Sequence, residues 1–318
     1  MIPPFKNIIE GELDTESYAF FGHGTYTFFD KLGLTAGLRY DYQTKDFKFH
    51  EHYDQDLSMF GMLPQKADAD EDFDEWLPKF ALDYRFTPDL MTYASLAKGY
   101  KSGGFNTYSS SAGIPYDPEY TWNYEIGIKS AWLDKRLIVN LAGFYVDWQD
   151  QQVFQSIGPM EMAVKNAAES TSKGFEIEVM ARPASGLDFV AGFGYTDAEF
   201  DDFTDGGISC DGKQLPCVPK YTYNLALQYR HSSGIFSRVE LQGVGDSYYD
   251  FANTEKEDDY QLVNTRVGYE REYFEIYLWA KNLFDEEYVT RAIDMGAGDW
   301  LARAGDPLTF GITLTGRF

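Results

Sequence analysis

Apolar and polar residues alternate with a period of two along most of the chain, as expected for strands with one apolar face. The C-terminal segment shows this most clearly. Its apolar residues are Leu308, Phe310, Ile312, Leu314 and Phe318, and its intervening polar residues are Thr309, Thr313, Thr315 and Arg317. We predict that the even-numbered set faces outward, because a shift of one residue would turn every side chain to the other face.

Thirteen segments follow this pattern, and several exceed the usual strand length of about 5–6 residues. They cover approximately residues 17–29, 32–49, 74–86, 90–100, 119–132, 136–153, 162–182, 186–198, 221–231, 235–249, 259–270, 273–290 and 308–318. Aromatic residues concentrate near their ends, for example Phe28, Tyr84, Trp132 and Tyr229. Such positions are typical of the aromatic girdles of membrane barrels, although aromatic residues also favour strands in general.

The connections between these segments alternate in length. Short turns are expected near residues 30–31, 87–89, 134–135, 183–185, 232–234 and 271–272, and long loops near 50–73, 101–118, 154–161, 199–220, 250–258 and 291–307. All long loops then lie at one end of an up-and-down sheet. The pattern predicts an all-β fold, a transmembrane antiparallel up-and-down β-barrel with apolar residues toward lipid. A soluble β-sandwich also alternates, but it would not sustain strands this long or separate the loop lengths so cleanly.

Composition narrows the function further. Lys and Arg number 27 against 51 Asp and Glu, a formal net charge of −24 that argues against nucleic acid as a partner. Aromatic residues make up 17% of the chain. No apolar run reaches the roughly 18 residues of a transmembrane helix, and the first residues contain no apolar core of a signal peptide.

An odd number of strands is unusual, because bacterial single-chain barrels close with an even number. We therefore expect a partial barrel. Residues 1–16 are interpreted as a loop or upstream remnant and residues 17–318 as the barrel portion. Such a sheet would either stay open and curved or close by an unusual parallel pairing of its first and last strands.

Several motifs, in order along the chain, resemble those of TonB-dependent outer-membrane receptors, and in particular the iron and siderophore branch of that family. They are the stretch from Tyr93 to Asn106, Pro118-Glu119 with Asn123 to Gly127, Asn166-Ala167-Ala168 with Lys173 to Glu176, Ala280 to Tyr288, and Gly305 to Phe318. The resemblance is specific for the family and does not identify a substrate.

The resemblance implies a twenty-two-stranded barrel that is occluded by an N-terminal plug. It implies localisation in the bacterial outer membrane and energised uptake of a ferric siderophore or similar iron complex through the TonB–ExbB–ExbD complex. We identify neither a plug nor a TonB-contacting segment in this sequence, and we expect contact with that complex only through a missing plug. About thirteen strands from the C-terminal part of the barrel are expected here. The alternative is a self-contained passive porin or adhesin barrel.

Ligand contacts in this family come from the plug and the extracellular loops. The loop aromatics are therefore the candidates for ligand contact: Tyr108, Tyr116, Phe154, Tyr249 and Trp300. Outer-membrane lipid is the other expected contact. The last strand, with Phe310, Ile312, Leu314 and Phe318, resembles the signal that the barrel assembly machinery reads by edge pairing.

Cysteine and histidine offer two further possibilities. Cys210 and Cys217 lie close together in a predicted long loop, and in an oxidising envelope they predict a disulfide. His50 and His52 are spaced to face the same side of an extended segment, a spacing that can hold a metal. No partner ligand is visible nearby in the sequence, so we interpret them as part of a solvated loop and expect no metal site.

The remaining motifs favour structural roles. Asn282 to Asp285 is interpreted as a bend from strand to loop that side-chain hydrogen bonds hold, and the glycines from Gly99 to Gly104 as sites of close backbone approach. The acidic runs 68–72 and 255–259 do not match a calcium loop and are interpreted as solvated loop faces. No catalytic constellation emerges, so we expect neither an enzyme nor a cofactor.

Overall fold

The computed structural model describes residues 4–107, 111–158, 161–294 and 299–317. Twenty strands and one short 3₁₀ helix, Ser58–Phe60, make up the secondary structure of this part. The strands are β1 Asn7–Phe28, β2 Leu32–Tyr53, β3 Gln65–Thr87, β4 Leu90–Lys101, β5 Gly104–Phe105, β6 Pro115–Tyr116, β7 Glu119–Trp132, β8 Leu137–Gly158, β9 Glu161–Ala184, β10 Leu187–Asp205, β11 Ile208–Ser209, β12 Tyr221–Arg230, β13 Ile235–Val244, β14 Ser247–Tyr248, β15 Lys256–Glu257, β16 Tyr260–Glu270, β17 Phe274–Lys281, β18 Val289–Asp294, β19 Trp300–Ala304 and β20 Thr309–Gly316. Among the described residues, no helix is both long and apolar enough to cross a membrane.

Thirteen strands form one antiparallel sheet in the order β1-β2-β3-β4-β7-β8-β9-β10-β12-β13-β16-β17-β20, and β11 pairs with β10 beside this path. The path follows chain order without a crossover, which confirms the predicted up-and-down arrangement. Strands β1 and β20 are its two edges, and among the described residues no ladder joins them. The sheet is therefore open, the first of the two outcomes expected for an odd number of strands.

Short turns at one end of the sheet are also confirmed. Phe29 and Asp30 between β1 and β2, and Leu133 to Lys135 between β7 and β8, all adopt positive φ. Gly186 and Gly234 take up the same conformation in two further turns. Positive φ is the conformation that tight hairpin connections require.

The predicted boundaries are wrong mainly at the opposite end, which we call the loop end. Strand β1 begins at Asn7 rather than near residue 17, so residues 7–16 are strand and not loop. Strands β2 and β3 extend through much of the predicted loop 50–73, and β10 extends to Asp205. Charged residues interrupt the apolar alternation in these extensions, and a search for alternating apolar residues does not detect them.

Two predicted strands are instead too long. Strand β13 ends at Val244 and β17 ends at Lys281, before the predicted positions 249 and 290. After β13 the chain forms the separate β14–β15 pair, and after β17 it bends at Asn282 toward the β18–β19 pair. These two small hairpins are separate from the main sheet and lie in its connections at the loop end.

The predicted separation of apolar and polar faces is confirmed. Ile312 lies opposite Leu278, and Leu278 lies opposite Val267, so aliphatic residues line up on one face across three strands. On the other face, Thr313 lines a cleft with Arg266. The aliphatic face is called the apolar face below, and the face with Arg266 is called the polar face.

Candidate functional site

Two buried aromatic clusters stabilise the loop end. The first, the Phe203 cluster, consists of Val153, Ala168, Ala198, Phe200, Phe203, Cys210 and Leu215. Phe203 is fully buried, and its ring lies 4.7 Å from that of Phe200 and 5.0 Å from that of Phe251. The cluster joins residues from β8, β9 and β10 to the connection between β10 and β12 and, through Phe251, to the connection between β13 and β16. The region predicted as loop 199–220 is therefore packed rather than free.

The second cluster, the Phe47 cluster, consists of Phe47, Phe49 and Phe105 with Ala67, Ala69 and Ala112 packed against it. The rings of Phe47 and Phe105 are stacked with centroids 5.6 Å apart. Phe105 belongs to the connection between β4 and β7, so this loop folds over the ends of β2 and β3. Close packing requires glycine at position 103, two residues before Phe105. A side chain there would collide with the backbone of Tyr116 and the ring of Phe73.

Asn106 attaches the same loop to β9. Its amide nitrogen donates to the carbonyl oxygens of Ile114 and Val164, at 3.2 and 3.1 Å, and its amide oxygen accepts from the Val164 N–H at 2.6 Å. The side chain is buried. A buried amide with both its donor and its acceptor functions used fixes its neighbours, because leaving any of these groups unpaired would cost free energy.

Asn166 makes a second attachment of this loop. We call Asn106 and Asn166 together the asparagine clamps. Its amide oxygen accepts from the Asp117 N–H at 2.7 Å, and its amide nitrogen donates to the carbonyl oxygens of Asp117 and Asp150 at 2.7 and 2.8 Å. The buried Glu119 adds a third contact by accepting from the Gln152 N–H at 2.6 Å. These residues belong to the motifs Gly104 to Asn106, Pro118-Glu119 and Asn166 to Ala168, which therefore organise the loop end.

Asn282 holds the bend after β17, as the sequence predicts for Asn282 to Asp285. Its amide oxygen accepts from the Glu286 N–H at 2.8 Å, and its amide nitrogen donates to the carbonyl oxygens of Glu286 and Asp306. Asp285 accepts from the Leu308 N–H at 2.7 Å. The start and the end of the long connection between β17 and β20 are thus joined.

An open cleft of about 430 Å³ lies beside the asparagine clamps. Its lining includes Asn106, Ile114, Tyr116, Ile157, Lys165 and Asn166. Burial, followed by the charge of Glu119, raises the pKa of Tyr116, so its hydroxyl stays protonated and can donate a hydrogen bond. The cleft offers an aromatic ring, a hydroxyl donor and an ammonium group to a ligand.

The predicted ligand-contact residues fall into two groups. Tyr116 lines the cleft, and the half-exposed Phe154 lies in the adjoining part of β8, opposite Val164. Tyr249 and Trp300 belong to the other group of loops, around β14–β15 and β18–β19. Tyr108 lies outside the described residues, so the structure gives no position for it.

Tyr249 serves a structural purpose within its group. Its hydroxyl lies 2.9 Å from both Glu257 Oε2 and the carbonyl oxygen of Val289. Burial and the hydrogen bond to Glu257 raise its pKa, so the hydroxyl remains a donor at neutral pH. Glu257 also accepts from the Val289 N–H at 2.8 Å. The acidic run 255–259, predicted to be a solvated loop face, thus contributes one residue that joins two loops.

The predicted disulfide is not formed. Both cysteines are free thiols: Cys210 is buried within the Phe203 cluster, and Cys217 is exposed. The Cys217 N–H donates to the Tyr248 carbonyl oxygen at 2.7 Å, and Cys217 adopts positive φ. The two residues are therefore held by different contacts, one by apolar packing and the other by the β14 segment.

A row of arginines on the polar face was not anticipated from the sequence. Arg230 pairs with Glu270 at 3.1 Å, and Arg238 pairs with Glu240. The guanidinium of Arg266 lies 3.5 Å above the ring centroid of Tyr277. The signal was present as arginines at polar positions of β12, β13 and β16, but their alignment depends on the register between strands. Two of the three arginines are paired with carboxylates, so the row is a set of ion pairs with one arginine, Arg266, stacked on an aromatic ring.

Two histidines and a glutamate lie close together near the ends of β1 and β2 and could hold a metal ion. Within the described residues, Glu10, His50 and His52 form a group whose potential ligand atoms all lie within 4.8 Å of one another. His50 and His52 lie in β2 rather than in the predicted solvated loop, and Glu10 lies in β1. The partner carboxylate comes from the segment that the sequence pattern assigned to a loop.

Comparison with known proteins now identifies the family. The family described as "TonB dependent receptor-like, beta-barrel" matches residues 3–283. The chain belongs to the TonB-dependent receptor family. This match confirms the resemblance inferred from the motifs.

Several TonB-dependent receptors are similar to this chain in sequence. The pesticin receptor of Yersinia pestis is 26% identical over 289 residues, which cover 88% of this chain and 41% of the receptor. The ferrichrome outer membrane transporter/phage receptor of Escherichia coli K12 is 25% identical over 280 residues, covering 85% of this chain and 34% of the transporter. The chain thus spans less than half the length of these TonB-dependent receptors.

Solved structures of TonB-dependent receptors show the same fold. The ferric yersiniabactin uptake receptor FyuA from Yersinia pestis superposes with a TM-score of 0.83 at 24% identity, over 97% of this chain and 46% of FyuA. The siderophore receptor PiuA from Acinetobacter baumannii superposes with a TM-score of 0.75 at 22% identity, over 96% of this chain and 43% of PiuA. The similar proteins are transport receptors, which fits the expected non-enzymatic role.

Proposed function

We propose that this chain forms the barrel wall and outer loops of an outer-membrane receptor that takes up a ferric siderophore or a similar iron complex. The observation that carries the proposal is the family match over residues 3–283, together with relatives that are receptors for such complexes. The apolar face would contact outer-membrane lipid. Coupling to TonB–ExbB–ExbD would run through a plug domain within the barrel.

The loop end supplies the surface for first contact with the ligand. The cleft at Tyr116 presents Lys165 and the Tyr116 hydroxyl on a frame that the asparagine clamps hold. A cation and a hydroxyl donor suit an iron complex whose ligating groups are anionic oxygens. Rigid support under a binding surface lowers the entropy cost of binding.

Assembly into the membrane would use the last strand. Strand β20 is an edge of the sheet, and Phe310, Ile312 and Leu314 on its apolar face are exposed. An exposed edge can pair with a further strand, which is how we propose that the barrel assembly machinery recognises it. Phe318, the terminal aromatic of the predicted signal, lies outside the described residues.

The test of uptake is a transport assay. The complete reading frame that encodes this chain is expressed in iron-starved cells that lack siderophore receptors, with and without TonB, and uptake of radiolabelled iron is measured for a panel of siderophores. We expect uptake of at least one ferric siderophore that disappears without TonB. Uptake that continues unchanged without TonB would instead support the passive porin, the alternative that the receptor relatives do not favour.

Two tyrosine variants separate ligand contact from general damage. Tyr116→Ala removes the ring from the cleft and should raise the half-saturating siderophore concentration by roughly tenfold, equivalent to about 1.4 kcal/mol. Tyr229→Ala removes the same side chain from the apolar face and should leave that concentration unchanged. If both substitutions change the half-saturating concentration equally, at matched amounts of receptor on the cell surface, the cleft does not contact the ligand.

A further inference from the structure

The ends of β1 and β2 at the loop end bring together three metal-ligating side chains. Glu10 lies directly opposite His50 in the antiparallel ladder, and Ile8 lies opposite His52. His50 and His52 are two residues apart on one strand, so their side chains project from the same face. This ladder continues without a register shift, so the two imidazoles and the carboxylate share that face.

The geometry is close to that of a coordination site. The potential ligand atoms of Glu10, His50 and His52 all lie within 4.8 Å of one another, and His50 Nδ1 lies 3.9 Å from Glu10 Oε2. The two imidazole rings are stacked with centroids 4.8 Å apart. With metal–ligand bonds of about 2.0–2.1 Å, tetrahedral ligand atoms lie about 3.4 Å apart, so the group must contract by roughly 1.5 Å at most.

Side-chain rotation can supply that contraction. The side chains of Glu10 and His50 are 70% and 51% exposed, so little packing opposes a change of rotamer. The backbones are fixed by the β1–β2 ladder, which extends on both sides of the group. The strands therefore set the position of the ligands, and the exposed side chains can close around an ion.

An independent observation concerns His52. Its Nδ1 atom is buried and has no hydrogen-bond partner. Buried polar atoms in proteins nearly always have a partner, and a bound metal ion would provide one for this atom. Lys66 in β3 lies opposite His50 on the other side and adds a positive charge that weakens cation binding. Two imidazoles and one carboxylate are the ligand set that borderline divalent metals prefer over hard cations.

We propose that Glu10, His50 and His52 bind a divalent transition-metal ion of the zinc class. Three protein ligands leave at least one coordination position for water or for an additional donor group, as in open zinc sites. The site lies on the same face of β2 as Leu34 and Leu38, outside the polar face, and none of its residues lines the cleft at Tyr116. It is therefore independent of the proposed transport function.

Direct metal titration tests the site. The whole chain, folded in detergent, is titrated with Zn²⁺ by calorimetry, and with Co²⁺ by visible absorption, whose intensity reports tetrahedral coordination. We expect one strongly bound equivalent. His50→Gln, His52→Gln and Glu10→Gln should each lower the affinity at least about tenfold, the loss typical when a metal site is damaged.

The two remaining histidines provide matched controls. His23→Gln and His231→Gln make the same chemical change outside the group and should leave the affinity and the Co²⁺ spectrum unchanged. Retention of strand circular dichroism in every variant excludes unfolding as the cause. Absence of a bound equivalent in the unmodified chain overturns the proposal, and so does binding that His52→Gln leaves unchanged or that His231→Gln abolishes.

Discussion

Phenylalanine occupies two opposite environments in this molecule. Phe310 on the apolar face of β20 is 79% exposed, whereas Phe203 at the loop end is 0% exposed. The exposed ring is suited to hydrocarbon, and the buried ring avoids water. One chain therefore contains a sheet that is stabilised by a lipid solvent and a loop end that is stabilised by its own small cores.

The difference in exposure between the two rings shows which part of the molecule needs a buried hydrophobic core made of its own residues. In a bilayer, lipid tails fill the space around the apolar face, so no protein partner is required there. Beyond the bilayer the connections meet water, and the apolar residues pack against each other in the Phe203 and Phe47 clusters. The same substitution should therefore change the free energy of unfolding by very different amounts in these two environments.

The largest effect is expected from Phe203→Ala. Removal of a fully buried ring leaves a cavity and should lower the free energy of unfolding by about 3–5 kcal/mol, measured with guanidinium in lipid vesicles. Phe310→Ala is the matched control, because lipid fills the space that its ring leaves. If both substitutions destabilise equally, the loop end does not contain a core distinct from the membrane-facing sheet.

A somewhat smaller effect is expected from Ile312→Lys. A lysine on the lipid-facing surface should destabilise the folded state by about 2–4 kcal/mol at the middle of the bilayer. Thr313→Lys, one residue away on the polar face, should change stability little. The measurement is the free energy of folding into vesicles, and a reversed order of the two variants would contradict the assignment of faces.

Asn282→Ala should destabilise the bend after β17 by about 1–3 kcal/mol, because the side chain that bonds the backbone of Glu286 and Asp306 is removed. Limited proteolysis of the connection between β17 and β20 should become faster. Asn140→Ala serves as the control, since its side chain bonds only the Glu178 carboxylate among the described contacts. Equal proteolysis of both variants would show that Asn282 does not hold the bend.

The smallest effect on stability is expected at the two cysteines, which should nevertheless differ sharply in their reactivity toward maleimide. Burial raises the pKa of the Cys210 thiol, and the thiolate is the reactive form. Maleimide should therefore label the exposed Cys217 rapidly and Cys210 only in denaturant. Cys217→Ser should abolish the rapid phase. Failure of both residues to react without prior reduction would indicate that the predicted disulfide forms after all.

The strand pattern predicts the membrane-facing part of the fold well, because alternation of apolar and polar residues is sustained wherever one face meets lipid. It fails at the loop end. Glu10, Glu12 and Asp14 lie in β1, yet they offer no apolar face for a periodicity search to detect. The missed extension of β1 also explains why no partner for His50 was found in the sequence.

The site was harder to predict than the fold. Motif resemblance drew attention to Asn106 and Asn166, but their role depends on contacts with residues far away in the chain. The buried position of Cys210 depends in the same way on Phe200 and Phe203. Long-range packing of this kind cannot be detected in the local sequence. The short spacing between Cys210 and Cys217 therefore wrongly favoured a disulfide.

The asparagine clamps have a consequence for evolution. Asn106 and Asn166 fix both ends of the connection between β4 and β7 through backbone groups, with little dependence on the identity of the intervening side chains. Substitutions or insertions between the fixed points would then alter ligand preference without disturbing the barrel. The clamps would allow related receptors to acquire new cargoes by loop replacement, while the same membrane scaffold is inherited unchanged.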